Sequence, residues 1–75
     1  MKTRDYNEKA KGILRGEIRR RNLNYEDLSN TLAEMGVNET PKNLSNKISR
    51  GGFSAAFFIQ CLEAIGCHTL RLDDA

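Results

Sequence analysis

The run from Thr40 to Gly66, TPKNLSNKISRGGFSAAFFIQCLEAIG, constrains this chain more than any other stretch. Thr40 then Pro41 is a strong helix start: a hydroxyl for the N-cap, then a proline where its missing N–H costs nothing. Gly51-Gly52 breaks that helix after Arg50. Ser54 caps a second, strongly apolar helix that Gly66 closes. Phe53 before the cap and Phe58 at the fourth helical position suit a hydrophobic staple. The first helix offers a core only Leu44 and Ile48. Its other side chains are Lys42, Asn43, Ser45, Asn46, Lys47, Ser49 and Arg50, and no carboxylate lies between Thr40 and Phe57. These are side chains that hydrogen-bond base edges and phosphates.

Two more helices precede this run. The stripe Tyr6, Ala10, Ile13, Leu14, Ile18 has helical spacing, with Asp5 as N-cap and Glu8 completing a capping box. Arg19, Arg20 and Arg21 fall in its last turn, where cations complement the helix dipole. Gly12 and Gly16 share one face, which suits close approach of a neighbouring helix. Asn24 caps the next helix, with Asp27 in a variant capping box and Tyr25, Leu28, Leu32 and Met35 as its stripe. Gly36 stops it, and Val37 plugs the core. The short link makes the first two helices packed neighbours at a steep angle. The predicted helices span about 5–22, 25–35, 41–50 and 55–65, in one domain covering 1–75. The tail 67–75 includes His68-Thr69-Leu70-Arg71-Leu72, whose alternation suits a short strand.

Bulk properties exclude several classes. Seventy-five residues make one small domain with a modest core. The net charge of +2 is no polycation, but Arg19–Arg21 and Lys42, Lys47, Arg50 cluster while Asp73 and Asp74 sit at the tail. The polar N-terminus is no signal peptide, and the longest apolar run, Ala55 to Ile59, is far short of a membrane span. A soluble, cytoplasmic protein is expected. Cys61 reads as a small core residue and His68 as an exposed tail residue. Cys61, Cys67 and His68 lack the paired ligand spacing of a zinc module, so no metal or other cofactor is expected. A lone tail histidine, no cysteine paired with a base, and no glycine-rich phosphate loop speak against an enzyme or a small-molecule substrate.

The run IRRRNLNYEDLSNTL from Ile18 to Leu32, with Ile48-Ser49-Arg50-Gly51 and the apolar helix from Phe57 to Gly66, resembles the lambda-repressor-like (XRE-type) helix-turn-helix family. That resemblance covers about Ile13 to Gly66 and implies an all-α, compact four- to five-helix bundle with a short extended C-terminal tail. The segment Ala33 to Glu39 is a few residues longer than that family's usual turn. The stretch from Asn46 to Gly66 is also similar to a small bacterial domain family of unknown function carrying an NKISRGxFSAAFFxQCLxAIG run.

In helix-turn-helix geometry the third helix lies in the major groove. Base readout is then expected from Lys42, Asn43, Asn46, Lys47, Ser49 and Arg50, with the asparagines suited to adenine and the cations to guanine or phosphate. Phosphate contacts are expected from Asn24 and Tyr25 at one helix start and Ser54 at another. The apolar fourth helix and the tail suggest a homodimer through Phe58, Ile59, Leu62, Leu70 and Leu72. The expected function is sequence-specific binding of double-stranded DNA by a small bacterial or phage transcriptional regulator. The alternative is a protein-interaction module that uses the fourth helix and the tail without DNA.

Overall fold

Four helices form within residues 5–73, the part of the chain that the computed structural model describes: α1 Tyr6–Arg20, α2 Tyr25–Glu34, α3 Pro41–Arg50 and α4 Ala55–Ala64. The expected domain's ends, 1–4 and 74–75, lie outside the described residues. Each helix starts on the residue its sequence assigns. Asp5 accepts from the Asn7 and Glu8 amides, Asn24 from Asp27, Thr40 from Asn43 and Ser54 from Phe57. Such a cap contributes about 1 kcal/mol. The Asn24–Asp27 capping box is complete, at 2.8 and 3.0 Å. Glu8 does not make the expected return bond within the described contacts but pairs with Lys11 at 2.5 Å.

Three helices end in the same way. Asn22, Gly36 and Gly66 take positive φ (58°, 86° and 78°) just past α1, α2 and α4. The next residue then donates back to the carbonyl five positions earlier: Leu23 to Ile18, Val37 to Leu32, Cys67 to Leu62. This is the Schellman reversal, and it turns an apolar residue back onto the helix it has just left. Leu23 and Val37 pack against the core and Cys67 is buried in it. The reversal shortens α1 relative to the predicted 5–22, because Arg21 and Asn22 belong to its cap. Met35 and Ile65 likewise become cap residues of α2 and α4.

The fully buried side chains are Leu14, Leu28, Leu32, Leu44, Ile48 and Cys61, so all four helices feed one core. α1 and α2 each rest on both α3 and α4, and α2 packs along α3. The expected packing of α1 on α2 does not occur. The chain turns away at Asn22, and both helices direct their apolar stripes to α3 and α4 instead.

Other expectations are corrected in the same way. Tyr6 is 68 % exposed, not core, and the buried positions of α1 are Ile13, Leu14 and Ile18. Met35 is exposed at the α2 cap. A side chain added at Gly12 or Gly16 would meet nothing within 4 Å, so no helix crowds them. The tail forms no strand among the described residues, since no edge is available for it to pair with. Leu70 packs against the core while Leu72 stays exposed. The Phe53–Phe58 staple forms, with ring centroids 5.7 Å apart.

Two predictions follow from this packing. At Gly51, φ is 73° and an added Cβ would sit 2.6 Å from the Asn7 carbonyl oxygen. Gly51→Ala is expected to cost about 2 kcal/mol or more in denaturant unfolding. Gly66→Ala, at a similar φ but in open space, should cost about 1 kcal/mol. Equal losses would show that the Asn7 contact is unimportant. Burial pushes the Cys61 thiol up from 9.0 to about 12, with Glu39 adding to the rise and Lys47 opposing it. The folded state therefore holds this proton where the unfolded chain has released it. The contribution is complete below pH 9.0 and fades as pH rises toward about 12. Unfolding curves of the wild type and Cys61→Val from pH 8 to 11 should show the steeper loss in the wild type.

Candidate nucleic-acid interface

α3 is held from one side only. Leu44 and Ile48, one turn apart, are its buried residues, and Ser45 at their flank is half-buried. At about 100° per residue, Lys42, Asn46, Ser49 and Arg50 point away from that row, with Asn43 beside them and Lys47 on the flank. All six are exposed, as the sequence pattern requires. Lys42, Asn43, Asn46 and Arg50 have no side-chain partner among the described residues. Their donors and acceptors are therefore available to a ligand.

Two of the six expected readers are engaged. The Lys47 ammonium pairs with the Glu39 carboxylate and lies 5.1 Å from the centre of the Phe57 ring. The stretch from Thr40 to Phe57 lacks a carboxylate in sequence, but the fold brings in the one just before it. The Ser49 hydroxyl accepts from the Arg15 guanidinium at 3.1 Å, and its carbonyl accepts from Lys11 at 3.3 Å. α1 thus delivers two cations to the C-terminal end of α3, where they also complement its dipole. Neither is among the residues expected from sequence to contact DNA. Lys11, Arg15 and Arg19 are legible as a row at i, i+4, i+8 on α1, but which helix they would meet depends on the packing.

The expected phosphate contacts differ in quality. At the start of α2 the Asn24 side chain and the Asp27 amide are bonded to each other, and Glu26 and Asp27 add negative charge in the first turn. An incoming phosphate meets that charge. Tyr25 is half-buried against the core. Beside them opens a cleft of about 410 Å³ lined by Arg15, Ile18, Arg19, Leu23, Asn24 and Tyr25. The start of α4 has no acidic residue in its first turn. Ser54 there caps the Phe57 amide at 3.0 Å and lines a cleft of about 310 Å³ with Lys47, Arg50, Gly52, Phe53 and Phe57.

The arginine cluster at the end of α1 is largely self-satisfied. Glu17 pairs with Arg21 at 2.6 Å and with Arg20 at 3.0 Å. The hydrogen bond from Arg21, opposed by desolvation and aided by the charge of Arg20, holds the Glu17 carboxyl below its usual range.

The five expected dimer residues divide. Leu62 is buried in the chain's own core, and Phe58 and Leu70 pack against it. Ile59 and Leu72 are 53 % and 59 % exposed and remain available to a partner. Cys67 is buried with its thiol directed at the Thr69 carbonyl, whereas its neighbour His68 is exposed, so the two do not converge. No described helix is long and apolar enough to cross a membrane.

A family model described as "Domain of unknown function (DUF6471)" matches residues 6–70. No curated protein and no solved structure matches the chain.

Proposed function

We propose a function for this chain, which belongs to the DUF6471 family of domains of unknown function: it is a sequence-specific reader of double-stranded DNA of lambda-repressor-like helix-turn-helix type. The observation that carries the reading is α3, which packs on α2 through one side and presents Lys42, Asn43, Asn46 and Arg50 without intramolecular partners on the other. Asparagine suits the paired donor and acceptor of adenine, and arginine suits the two acceptors of guanine. Arg15, bonded to the neutral Ser49 hydroxyl, and Arg19, which lines the cleft beside Asn24 with it, supply sequence-independent phosphate contacts. In this reading the protein is a small cytoplasmic bacterial or phage transcriptional regulator with no catalytic role. It acts as a homodimer through the surface around Ile59 and Leu72, because one copy offers few base contacts and a two-fold site doubles them.

A second reading uses the same exposed apolar residues. Ile59 and Leu72 suit a protein partner as well as a second copy. In that case the domain is an adaptor, and α3 is a solvated face.

The discriminating experiment is selection of binding sites from a randomised duplex pool by the purified protein at two salt concentrations. A palindromic motif is expected. Asn46→Ala should relax discrimination at one position by about 1–3 kcal/mol. Arg15→Gln should leave the motif unchanged and reduce the slope of log affinity against log salt by about 0.9. Ile59→Glu should convert dimer to monomer in sedimentation. Retention of no sequence at either salt would remove the DNA reading and leave the adaptor.

A further inference from the structure

Lys47 differs from the four free side chains of α3 in how it is held. Its ammonium is bonded to Glu39, whose side chain is only 13 % exposed, and it also lies over the Phe57 ring. The connector that carries Glu39 is itself fastened, because the Ser29 hydroxyl of α2 donates to the Glu39 carbonyl at 2.5 Å. A fully exposed ion pair is a weak restraint. Here the carboxylate is largely covered, the ring adds a second attraction, and the connector is fixed at its backbone.

We propose that Glu39 is a positioning residue that acts through Lys47. By keeping this cation on the flank of α3, it removes one phosphate contact from the DNA complex and leaves recognition to the outward side chains. The inference rests on the DNA-binding reading above. A phosphate contact raises affinity for every sequence alike, whereas a base contact raises it only for the right one. Withholding a lysine from phosphate therefore lowers affinity for every sequence by the same factor, makes binding less salt-dependent, and leaves discrimination between sites to the base contacts. The connector, longer than the usual turn between these helices, places the required carboxylate beside the reading helix.

The test compares the full chain with Glu39→Gln, Lys47→Gln, the double variant and Glu39→Asp. The readout is the slope of log affinity against log salt on the selected duplex and on a scrambled one. Glu39→Gln is expected to steepen the slope by about 0.9 on both duplexes. Its gain over the wild type should shrink by a factor of about 3.5 between 50 and 200 mM salt. Lys47→Gln alone should keep the wild-type slope, the double variant should return to it, and Glu39→Asp should match it. A slope reduced by about 0.9 in Lys47→Gln would overturn the proposal, since the lysine would then already contact phosphate. A gain in Glu39→Gln that persists in the double variant would also overturn it, because loss of the carboxylate's field alone would explain that gain. So would an unchanged slope in Glu39→Gln. If Glu39→Gln melts early by circular dichroism, the surface variant Lys47→Gln decides the matter alone. A wild type that binds no duplex at any salt overturns the DNA reading and this inference together. A wild type with a clear motif and flat variant slopes overturns the inference alone.

Discussion

The orientation of α3 rests on two side chains, Leu44 and Ile48. They are one turn apart and completely buried, while the rest of the helix circumference is half-buried or exposed. Burying each contributes about 1.5–3 kcal/mol, and there is no second apolar row to compete with it. A helix held by so narrow a stripe has one stable rotation about its axis. That rotation decides which polar residues form the outward row. Every functional statement about Lys42, Asn43, Asn46 and Arg50 therefore depends on this pair. The neighbours that receive the pair come from the other three helices: Leu14 of α1, Leu28 and Leu32 of α2, and Cys61 of α4.

A chain of this length gains little from core size, and much of its definition comes from how its helices stop. Asn22, Gly36 and Gly66 each reverse the chain, and Leu23, Val37 and Cys67 each fold back onto the helix end. The reversal satisfies carbonyls that a helix end otherwise leaves bare, and it adds an apolar side chain to the core at the same point. Gly51 has a different task. It ends α3 in the left-handed region and lets the α1 backbone at Asn7 approach more closely than any Cβ permits. The first turn of α1 is thereby set against the turn between α3 and α4, and Lys11 and Arg15 of the same helix reach Ser49.

Net charge describes this surface poorly. Several of the cations are matched by carboxylates: Arg20 and Arg21 by Glu17, Lys11 by Glu8, Lys47 by Glu39. Among the described residues Lys9, Arg19, Lys42 and Arg50 have no such partner, and Arg15 is bonded to a neutral hydroxyl. Most of the unmatched positive charge thus lies on α3 and on the side of α1 at the start of α2. The DNA-binding reading rests on that distribution, since a local field and free donors, not the total charge, attract and orient a polyanion.

The sequence by itself determined where the helices begin, the identity of the α3 core pair and the polar character of its remaining face. These are local properties: caps act within one turn, and a two-residue apolar stripe has one helical period to satisfy. The staple of Phe53 on Phe58 and the core placement of Cys61 and Val37 were legible for the same reason. Only the tertiary structure decided which cations remain free. Glu39 and Lys47 are eight positions apart, and Arg15 and Ser49 thirty-four, so neither contact belongs to a single helical period. It also decided that α1 rests on α3 and α4 instead of α2, that Tyr6 and Met35 leave the core, and that Leu62 is buried within the chain's own fold. Side-chain pairing across helices depends on rotation and closing angle. Those are set by how four apolar stripes fill one interior together, a condition that no single stripe expresses.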